Sequence, residues 1–351
     1  MKTLGPSLAL GLAVATALAG CASATGSPVD AAPSTRACVI LPDAASAPRW
    51  ERDDRPELTR AFEAAGFSAE VRNAEGATGS YDQIGSELLA DGCGVLLLVD
   101  FDGAAEGVAA RARAAGIPVI AYDRPVRGAD YYVAFDYPTV GALQGETIVA
   151  ELEAAGKDPA ASAVFFVSGD TTDSSTALVR AAAASKMSTA GITVTAAFDG
   201  TGNPHTTAHR FAAELDAKGG RIDAVWVMND TDAAGVVSVL ESRGITVPVT
   251  GQDATVQGLR NVLRGVQSST IYKDYREEAR RAATVAIGLL AGNDLDPETD
   301  GFLGDGTPYL KVPVERIGRD KVARLVDDGV VRASELCTSE VAEACAELGI
   351  A

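Results

Sequence analysis

Short apolar runs and stretches of helical period alternate along the chain from residue 38 onward. The apolar runs are bounded by glycine or polar residues, a pattern typical of strands buried in a parallel sheet. The pairs Ala65-Gly66 and Ala115-Gly116 are expected helix ends just before such strands. The pattern predicts strands over 38–41, 67–72, 94–99 and 117–121, and helices over 51–65, 81–90 and 104–115.

The same alternation begins again after residue 137. It predicts helices over 138–155, 174–190, 204–218, 231–243 and 254–264, between strands over 163–167, 192–198, 222–228, 247–251 and 269–273. A long helix from Tyr275 to Leu290, an acidic loop, a strand from Tyr309 to Val314 and short amphipathic tail helices follow. Such alternation requires a parallel sheet covered by helices on both faces. Two successive sheets predict an α/β protein with two doubly wound lobes.

The formal net charge of the chain is −18 at pH 7. A surface that binds nucleic acid needs a cluster of Lys and Arg residues, and the sequence has none. We therefore expect no nucleic-acid partner. The length of 351 residues allows two lobes, each with its own core.

The amino terminus has the features of an export signal. Lys2 precedes an apolar segment, Leu8 to Ala19, that is too short to span a membrane well. Its end, Leu18-Ala19-Gly20-Cys21, resembles the lipobox of bacterial lipoproteins. We expect removal of residues 1–20, lipidation of Cys21, and a flexible tether over 21–37, which is small, polar and proline-containing. The alternative is an ordinary signal peptide with a chance cysteine.

The remaining four cysteines suggest disulfide bonds, because an even number is typical of exported proteins. Cys38 begins the first predicted strand, and Cys93 directly precedes the strand over 94–99. Neighbouring parallel strands would bring these two residues to the same edge, so we predict that they pair. Cys337 and Cys345 lie in the final segment, where a second disulfide would fix the tail.

Asp123 and Arg124 follow the predicted strand over 117–121, so they lie at its carboxyl end. In open α/β sheets this is the edge at which ligands bind. The carboxylate offers hydrogen-bond acceptors and the guanidinium offers a rigid fork of donors, which together suit a hydroxyl-rich molecule. A surface salt bridge at a strand end is the alternative.

A set of further stretches accompanies this pair along the chain. In order, they are Pro48-Arg49-Trp50-Glu51-Arg52-Asp53, Ala121-Tyr122-Asp123-Arg124 with Phe135-Asp136, Asn229-Asp230, Gly251-Gln252-Asp253-Ala254, and Ile271-Tyr272-Lys273. With this ordered set, residues 38–335 resemble the periplasmic sugar-binding proteins of bacterial ABC transporters, in particular the xylose-binding-like branch. Single pieces such as Asn-Asp are weak signals, whereas the ordered set behind a lipobox is a strong one.

The resemblance implies two lobes joined by a hinge of three chain crossings, just after Asp136, just after Lys273 and near Lys311. The amino-terminal lobe would comprise 38–136 and 274–311. The carboxy-terminal lobe would comprise 137–273 and 312–330, with a tail over 331–351. A protein of this kind closes its lobes around a ligand and is not an enzyme.

The function implied by the resemblance is delivery of a monosaccharide, a pentose or a hexose, to the permease of an ABC importer. The protein would be a lipid-anchored monomer at the outer face of the cytoplasmic membrane or in the periplasm, without a cofactor. The alternative is a sugar sensor of the same fold that signals to a membrane receptor or kinase. A cell-surface hydrolase is disfavoured because a nucleophile and base are missing. A cytoplasmic repressor is excluded by the lipobox and the lack of a helix-turn-helix segment before Cys38.

The resemblance also implies which residues contact the sugar. Trp50 matches a stacking residue, expected at the rim of the site rather than in the core, and Arg49 matches a donor to hydroxyls rather than a solvated charge. Asn229 and Asp253 end predicted strands and are assigned to the ligand rather than to cap or turn roles, whereas Asp230 is assigned to a helix cap. The predicted set is Arg49, Trp50, Asp123, Arg124, Phe135, Asp136, Asp173, Ser174, Asn229, Asp253 and Lys273.

Two departures from the family pattern concern the identity of the ligand. The segment 201–205 lacks the second aromatic residue that the family often supplies, so the ring is held from one face or Phe135 or Tyr137 substitutes for it. The segment 168–174 also differs from the family's usual sequence. Pentose specificity is therefore not carried over.

Two segments have residues that could bind a metal ion. His205 and His209 have a spacing that can bind zinc, but no further ligand is evident, and a surface helix is the favoured interpretation. The acidic residues over 294–300 could coordinate calcium, but Pro297 and the late Gly301 depart from a calcium-binding loop. We expect no metal at either place.

Overall fold

The protein is described by a computed structural model that covers Met1 and residues 35–44, 49–293 and 299–350. Cys21, the proposed signal peptide, most of the tether and most of the acidic loop over 294–300 lie outside the described residues. No helix in the described part of the chain is long and apolar enough to cross a membrane.

The elements of the first half begin with strand β1 (Arg36–Leu41), a π-helical turn (Trp50–Asp54) and helix α1 (Arg55–Ala64). They continue with β2 (Ser68–Asn73), α2 (Thr78–Ala90), β3 (Val95–Leu98), α3 (Ala104–Ala114), β4 (Val119–Tyr122) and β5 (Tyr131–Phe135). The predicted helix over 51–65 therefore begins as a π-helical turn, and the regular helix starts at Arg55.

The second half contains α4 (Tyr137–Ala154), β6 (Val164–Ser168), α5 (Thr176–Thr189), β7 (Val194–Asp199), α6 (Pro204–Ala217), β8 (Ala224–Val227), α7 (Asp230–Ser242), α8 (Val256–Arg264) and β9 (Thr270–Lys273). The chain ends with α9 (Tyr275–Leu290), β10 (Gly301–Phe302), β11 (Pro308–Val312), β12 (Val314–Ile317), α10 (Val322–Asp327), α11 (Ala333–Leu336) and α12 (Ala342–Glu347).

Within the described residues the strands form three sheets. The largest has the order β10-β11-β5-β4-β3-β1-β2 and is parallel except for β10. The second is parallel with the order β7-β6-β8, and β12 pairs antiparallel with β9. The predicted strand over 247–251 is wrong: the segment makes a single bridge, Val249 to Val225. Pro248 lies within it and has no N–H to donate to a ladder.

Helices cover both faces of the largest sheet. On one face, Leu58 and Phe62 of α1 pack with the alanines of α9, such as Ala282, against β1, β3 and β4. On the other face, α2 and α3 bury side chains that include Tyr81 and Val108. This arrangement follows from apolar strands that are buried on both sides, as the continuous apolar runs predicted.

The smaller parallel sheet is covered in the same way. Helices α4 and α5 pack on the face that carries Phe166 and Trp226, and α6 and α7 pack on the opposite face. Helices α4 and α5 approach closely because Gly141 has no side chain, and a Cβ there would collide with the carbonyl oxygen of Val179. The α/β fold class with two doubly wound lobes is confirmed.

The chain passes between the two lobes three times within the described residues. The passages lie at Asp136 between β5 and α4, at Asp274 between β9 and α9, and at Pro313 between β11 and β12. They form the three-crossing hinge. Because α4 and α9 begin directly at two of these passages, their first residues lie beside the space between the sheets.

Both cysteine pairs are joined in the structure. Cys38 is bonded to Cys93 with a Cα–Cα distance of 5.9 Å, and Cys337 is bonded to Cys345 with a Cα–Cα distance of 6.0 Å. The tail helices α10 to α12 pack with α8 in a separate apolar cluster. The Arg260 side chain of α8 donates to the carbonyl oxygen of Leu336 at 3.1 Å and so holds the tail in place.

Candidate ligand-binding site

A cleft of about 820 Å³ lies at the carboxyl ends of the strands of both parallel sheets. This is the position that open α/β sheets offer to ligands. The predicted site residues that line it are Arg49, Trp50, Asp123, Arg124, Asp173, Asn229, Asp253 and Lys273. They come from loops far apart in the sequence, and the fold brings them together.

Arg49 lies at the floor of the cleft and is almost completely buried. Its guanidinium donates to both carboxylate oxygens of Asp54 at 2.8 and 2.7 Å, to Asp123 Oδ1 at 2.9 Å and to Glu278 Oε2 at 2.5 Å. The guanidinium also lies over the rings of Trp50 and Tyr275, 4.3 and 4.0 Å from their centroids. Arg49 thus joins the first lobe's loop, β4 and α9, and its donors are mainly engaged by protein groups.

The carboxylates around Arg49 respond differently to burial. Burial alone would raise the pKa of Asp123, but Arg49, Lys273 and Arg124 together lower it below its ordinary value. The pKa of Asp54 is raised by burial, although Arg49 opposes the effect. Burial and the neighbouring Asp123 carboxylate raise the pKa of Glu278 well above its ordinary value. Of the three carboxylates around Arg49, Asp123 is therefore the one whose pKa favours the ionised form, and it lines the cleft.

Asp123 is held in a fixed orientation at the end of β4. Its backbone has φ of 63°, a left-handed conformation that is uncommon outside glycine. Tyr137 donates to Asp123 Oδ1 at 2.6 Å, and Tyr132 donates to the Asp123 carbonyl oxygen at 2.9 Å. The buried tyrosines therefore support both the side chain and the strained backbone.

Arg124 connects the loops of the two lobes. It donates from its terminal nitrogen Nη1 to the carbonyl oxygen of Asp100 at 2.9 Å, and its Nε lies 3.3 Å from Asp173 Oδ1 in the opposite lobe. Asp173 in turn accepts hydrogen bonds from the backbone N–H and hydroxyl of Ser175. The Asp123-Arg124 pair is therefore buried and is not a surface salt bridge.

Trp50 lines the cleft from a buried position. The prediction that it lies at the rim is wrong, because only 2% of its surface is exposed. The π-helical turn that starts at Trp50 directs the side chain inward, where its ring packs beside Arg49. The charged residues around Trp50 in the sequence suggested a rim position, but Arg49 is itself buried by its ion pairs.

The second lobe contributes an ion pair beside the hinge. Lys273 Nζ, at the end of β9, lies 2.9 Å from Asp253 Oδ1 and over the rings of Phe135 and Tyr137, each 5.4 Å away. Tyr275, at the start of α9, donates to Asp253 Oδ1 at 3.4 Å. Lys273 and Tyr275, which flank the second hinge passage at Asp274, thus both contact Asp253 in the cleft.

The structure gives the cap of α7 to Asn229 rather than to Asp230. Asn229 is the cap of α7, since its Oδ1 accepts from the Asp232 N–H at 2.8 Å, although the residue also lines the cleft. Asp230 is not a cap: its carboxylate is fully buried and accepts from Thr255, Gln267 and other groups. Either of two adjacent polar residues at a helix start can serve as the cap. Only the tertiary partners of each side chain show which one does.

Three predicted site residues lie outside the lining of the cleft. Phe135 is completely buried and packs edge-on against Tyr137. Asp136 caps α4 by accepting from the Thr139 N–H, and it pairs with Lys311 at 3.3 Å. Ser174 donates its hydroxyl to the carbonyl oxygen of Pro125 at 3.2 Å, across the cleft.

Sequence reasoning missed several groups that the fold brings to the site. Tyr275 and Gln252 line the cleft, and Asp54 and Glu278 hold Arg49 from behind. Gln252 carried a signal, because it lies inside the Gly251–Ala254 stretch. Glu278 carried none, since a glutamate in the first turns of an amphipathic helix is usually solvated.

The residues considered for metal binding do not form a site in the described structure. His205 and His209 are exposed on α6. Among the described residues, no group of three or more His, Cys, Asp and Glu side chains could hold a metal ion. Most of the acidic loop over 294–300 lies outside those residues.

Comparison with known proteins identifies the family of this chain. A family model described as a periplasmic binding protein domain matches residues 38–294. The chain belongs to the periplasmic binding protein family. This periplasmic binding protein is 31% identical over 329 residues to the multiple sugar-binding periplasmic protein SbpA of Azospirillum brasilense, across 83% of this chain and 88% of the relative. It is 28% identical to the D-xylose-binding periplasmic protein of Escherichia coli, across 82% and 88% of the two chains.

Solved structures of this family have the same fold. A solute-binding protein of an ABC transporter from Clostridium phytofermentans, with bound β-D-glucose, superposes with a TM-score of 0.75 at 24% identity and covers 86% of this chain and 99% of its own. A carbohydrate-transporter solute-binding protein from Chloroflexus aurantiacus, in complex with D-glucose, has a TM-score of 0.70 at 25% identity, with 86% and 98% covered. The likeness to the xylose-binding-like branch is confirmed, and the chain is a binding protein, not an enzyme.

Proposed function

We propose that this periplasmic binding protein binds a monosaccharide in the cleft between its lobes and delivers it to the permease of an ABC importer. The observation that carries the proposal is the pairing of buried cations in the cleft: Arg49 with Asp123, Arg124 with Asp173, and Lys273 with Asp253. Each cation is already neutralised by a carboxylate. Fixed donors and acceptors without an unpaired cation suit a neutral, hydroxyl-rich ligand.

Unpartnered polar atoms support a polar ligand. Trp50 Nε1 and Gln252 Oε1 are buried and have no hydrogen-bond partner among the described residues, and Arg124 Nε, although 3.3 Å from Asp173 Oδ1, is not aligned to donate a hydrogen bond to it. All three residues line the cleft. Because unpaired buried polar atoms are costly, we expect hydroxyls of the bound ligand to satisfy these two donors and one acceptor.

Aromatic surface beside these groups supports a ring-shaped ligand. Trp50 lines the cleft from the first lobe, and Tyr137 and Tyr275 line it beside the hinge, at the starts of α4 and α9. A sugar ring has an apolar face that packs on such surface while its hydroxyls reach the charged groups. Tyr137 therefore takes the place of the second aromatic residue that the segment 201–205 lacks. The sugars named for the relatives, D-xylose and D-glucose, are in keeping with this chemistry.

Lobe closure is the proposed mechanism of capture. The lobes would comprise 38–136 with 274–311 and 137–273 with 312–330, followed by the tail over 331–351. Contacts far from the hinge join them in this conformation: the Asp102 N–H donates to the Thr172 carbonyl oxygen at 3.1 Å, and Ser174 donates to Pro125. A ligand that bridges Asp123 and Asp253 would favour the closed form through its contacts with both lobes.

Cys21 is proposed to carry a lipid that anchors the monomer to the outer face of the cytoplasmic membrane or within the periplasm, with the segment over 21–37 as a tether. The lipobox-like sequence supports this part of the proposal. Anchoring would keep a captured sugar close to the permease.

Calorimetry with the purified protein and a panel of pentoses and hexoses tests the proposal. We expect at least one sugar to bind, and Asp253→Ala to weaken its affinity by about tenfold or more, the effect of losing a hydrogen bond to a charged group. Arg280→Met is the matched control, because Arg280 is half exposed and its ion-pair partner within the described part of the chain is Glu277, at 2.9 Å. Absence of sugar binding by the wild type, or equal binding by Asp253→Ala, would contradict the proposed function.

A further inference from the structure

Asp230 is a completely buried carboxylate directly behind the wall of the cleft. Its Oδ1 accepts a hydrogen bond from Gln267 Nε2 at 2.8 Å. Its Oδ2 accepts from the Thr255 N–H at 2.9 Å, from the Thr255 hydroxyl at 3.2 Å and from the Thr270 hydroxyl at 3.0 Å. The side chain is thus surrounded by donors from three segments of the second lobe.

These donors flank the turn over 251–255, which carries Asp253 into the cleft. Asp253 has φ of 94° and Ala254 has φ of 47°, so two successive non-glycine residues adopt positive φ. Such conformations are unfavourable and persist only where surrounding contacts enforce them. The turn therefore needs support from its neighbours.

Asp230 supplies this support at both ends of the turn. Its own N–H donates to the Gln252 carbonyl oxygen at 3.0 Å, and its carboxylate holds Thr255. Between these points, the Thr270 hydroxyl donates to Asp230 and accepts from the Ala254 N–H at 3.1 Å. The carboxylate is thus connected through one hydroxyl to a strained residue.

Glycines leave the space that the carboxylate occupies. A Cβ at Gly251 or at Gly258 would collide with the Asp230 side chain. The loop before the turn and the first turn of α8 can therefore lie directly against Asp230. This close fit leaves no room for the turn to shift toward Asp230.

We propose that Asp230 is a positioning residue that holds the turn over 251–255 so that the Asp253 carboxylate faces the ligand. The inference rests on the proposed function only in that the ligand enters this cleft. Asp253 is the link to the site, because it contacts Lys273 at 2.9 Å and lines the cleft. Asp230 itself does not line the cleft.

The charge of Asp230 should make sugar affinity depend on pH. Burial, with the nearby Asp253 carboxylate, raises the pKa of Asp230 to about 7, although the hydrogen bonds from Gln267, Thr255 and Thr270 oppose this. Lys273 of β9 lies beyond Asp253, and Asp232 on α7 is engaged by Thr207 and Asn229. A protonated oxygen cannot accept every donor that the ionised carboxylate accepts. The turn should therefore loosen, and sugar affinity should weaken, as pH falls through about 7.

Two variants test the connection between Asp230 and the turn. Thr270→Val keeps the side-chain shape but removes the hydroxyl bridge, and we expect about tenfold weaker sugar affinity. Thr270→Ser, which keeps the hydroxyl, should restore it. Asp230→Asn places an amide N–H₂ among donors, so we expect weaker affinity that changes less between about pH 6 and pH 8 than the affinity of the wild type does.

The matched control is Asp223→Asn at the opposite end of β8. Asp223 accepts from the Ala163 N–H at 2.8 Å and pairs with Lys157 at 2.6 Å, far from the turn. This variant should lower stability slightly while sugar affinity and its pH profile stay as in the wild type. Thr270→Val tests the proposal even if Asp230→Asn fails to fold.

Amide hydrogen exchange of the ligand-free protein is a second test, and it does not depend on sugar binding. We expect faster exchange of the peptide over 251–256 in Asp230→Asn and Thr270→Val than in the wild type or Asp223→Asn. Unchanged exchange in this peptide would overturn the inference, as would wild-type affinity and pH profile in Asp230→Asn. A wild type that binds no sugar would count against the proposed function alone.

Discussion

Arg49→Met removes the one guanidinium that three buried carboxylates share. Asp54, Asp123 and Glu278 all contact Arg49, and each of these carboxylates is almost completely excluded from water. Methionine approximates the length of the arginine side chain and keeps its apolar contacts with Trp50, but it supplies no donor. The substitution therefore tests the ion-pair cluster rather than the packing of the cleft floor.

The magnitude follows from the cost of an unpaired buried charge. Removing one partner of a buried ion pair lowers the free energy of unfolding by about 3–5 kcal/mol, which corresponds to a melting temperature lower by about 4–7 °C in a chain of this size. The loss should be largest at about pH 8, because the buried carboxylates of the native variant must there either stay charged without a partner or take up protons that the unfolded chain does not bind. Sugar affinity should fall as well, because Asp123 loses a partner that orients it.

The pH dependence has a definite sign. Burial already raises the native pKa of Asp54 and of Glu278, and loss of Arg49 raises both further. The native state of the variant then binds more protons than the unfolded state, so its stability rises as pH falls toward the ordinary carboxylate pKa near 4. The difference in melting temperature between wild type and variant should therefore shrink between about pH 8 and pH 5.

Thermal unfolding followed by circular dichroism measures this effect. Arg280→Met is the control, because the Arg280–Glu277 pair is half exposed and such pairs contribute about 0–1 kcal/mol. A melting temperature for Arg49→Met equal to that of Arg280→Met, or a difference that is independent of pH, would refute the reasoning.

Two further predictions concern the cleft and the amino terminus. The chain has two tryptophans, Trp50 in the cleft and Trp226 buried against Phe166, so sugar should change the emission of the wild type and of Trp226→Phe but not of Trp50→Phe. A persistent change in Trp50→Phe would show that Trp50 does not report on the ligand. Cys21→Ser should abolish incorporation of labelled palmitate and release the protein from the membrane fraction of expressing cells, and labelling of the variant would locate the lipid elsewhere.

Several features were predictable because they depend on local patterns. Apolar runs identified β1, β3 and β4, with an Ala-Gly helix end before β4, and their parallel pairing follows from the intervening helices. Parallel pairing in turn predicted the Cys38–Cys93 bond. It also brought Asp123 and Arg124 to the edge at which the cleft lies.

Other roles could not be assigned from local signals, and the predicted cap at Asp230 and the predicted strand over 247–251 were wrong. Asn229 and Asp230 both suit the start of a helix, and the sequence did not show that the second one would point toward Thr255 and Thr270. Ser174 has the composition of a site residue, yet it donates to the carbonyl oxygen of Pro125 in the opposite lobe. Val247–Gly251 has the composition of a strand, but Pro248 prevents regular pairing.

The sequence by itself therefore determined the alternation of strands and helices, the edge at which polar residues collect and the ordered motif that marks the family. These are properties of neighbours along the chain. Only the tertiary structure decided which charges are buried together. Glu278 reaches Arg49 across 229 residues of sequence, and the free energy of a buried charge depends on partners that only the folded chain supplies. For the same reason, the sequence suggested that Trp50 lies at the rim, whereas in the folded chain it is buried in the wall of the cleft.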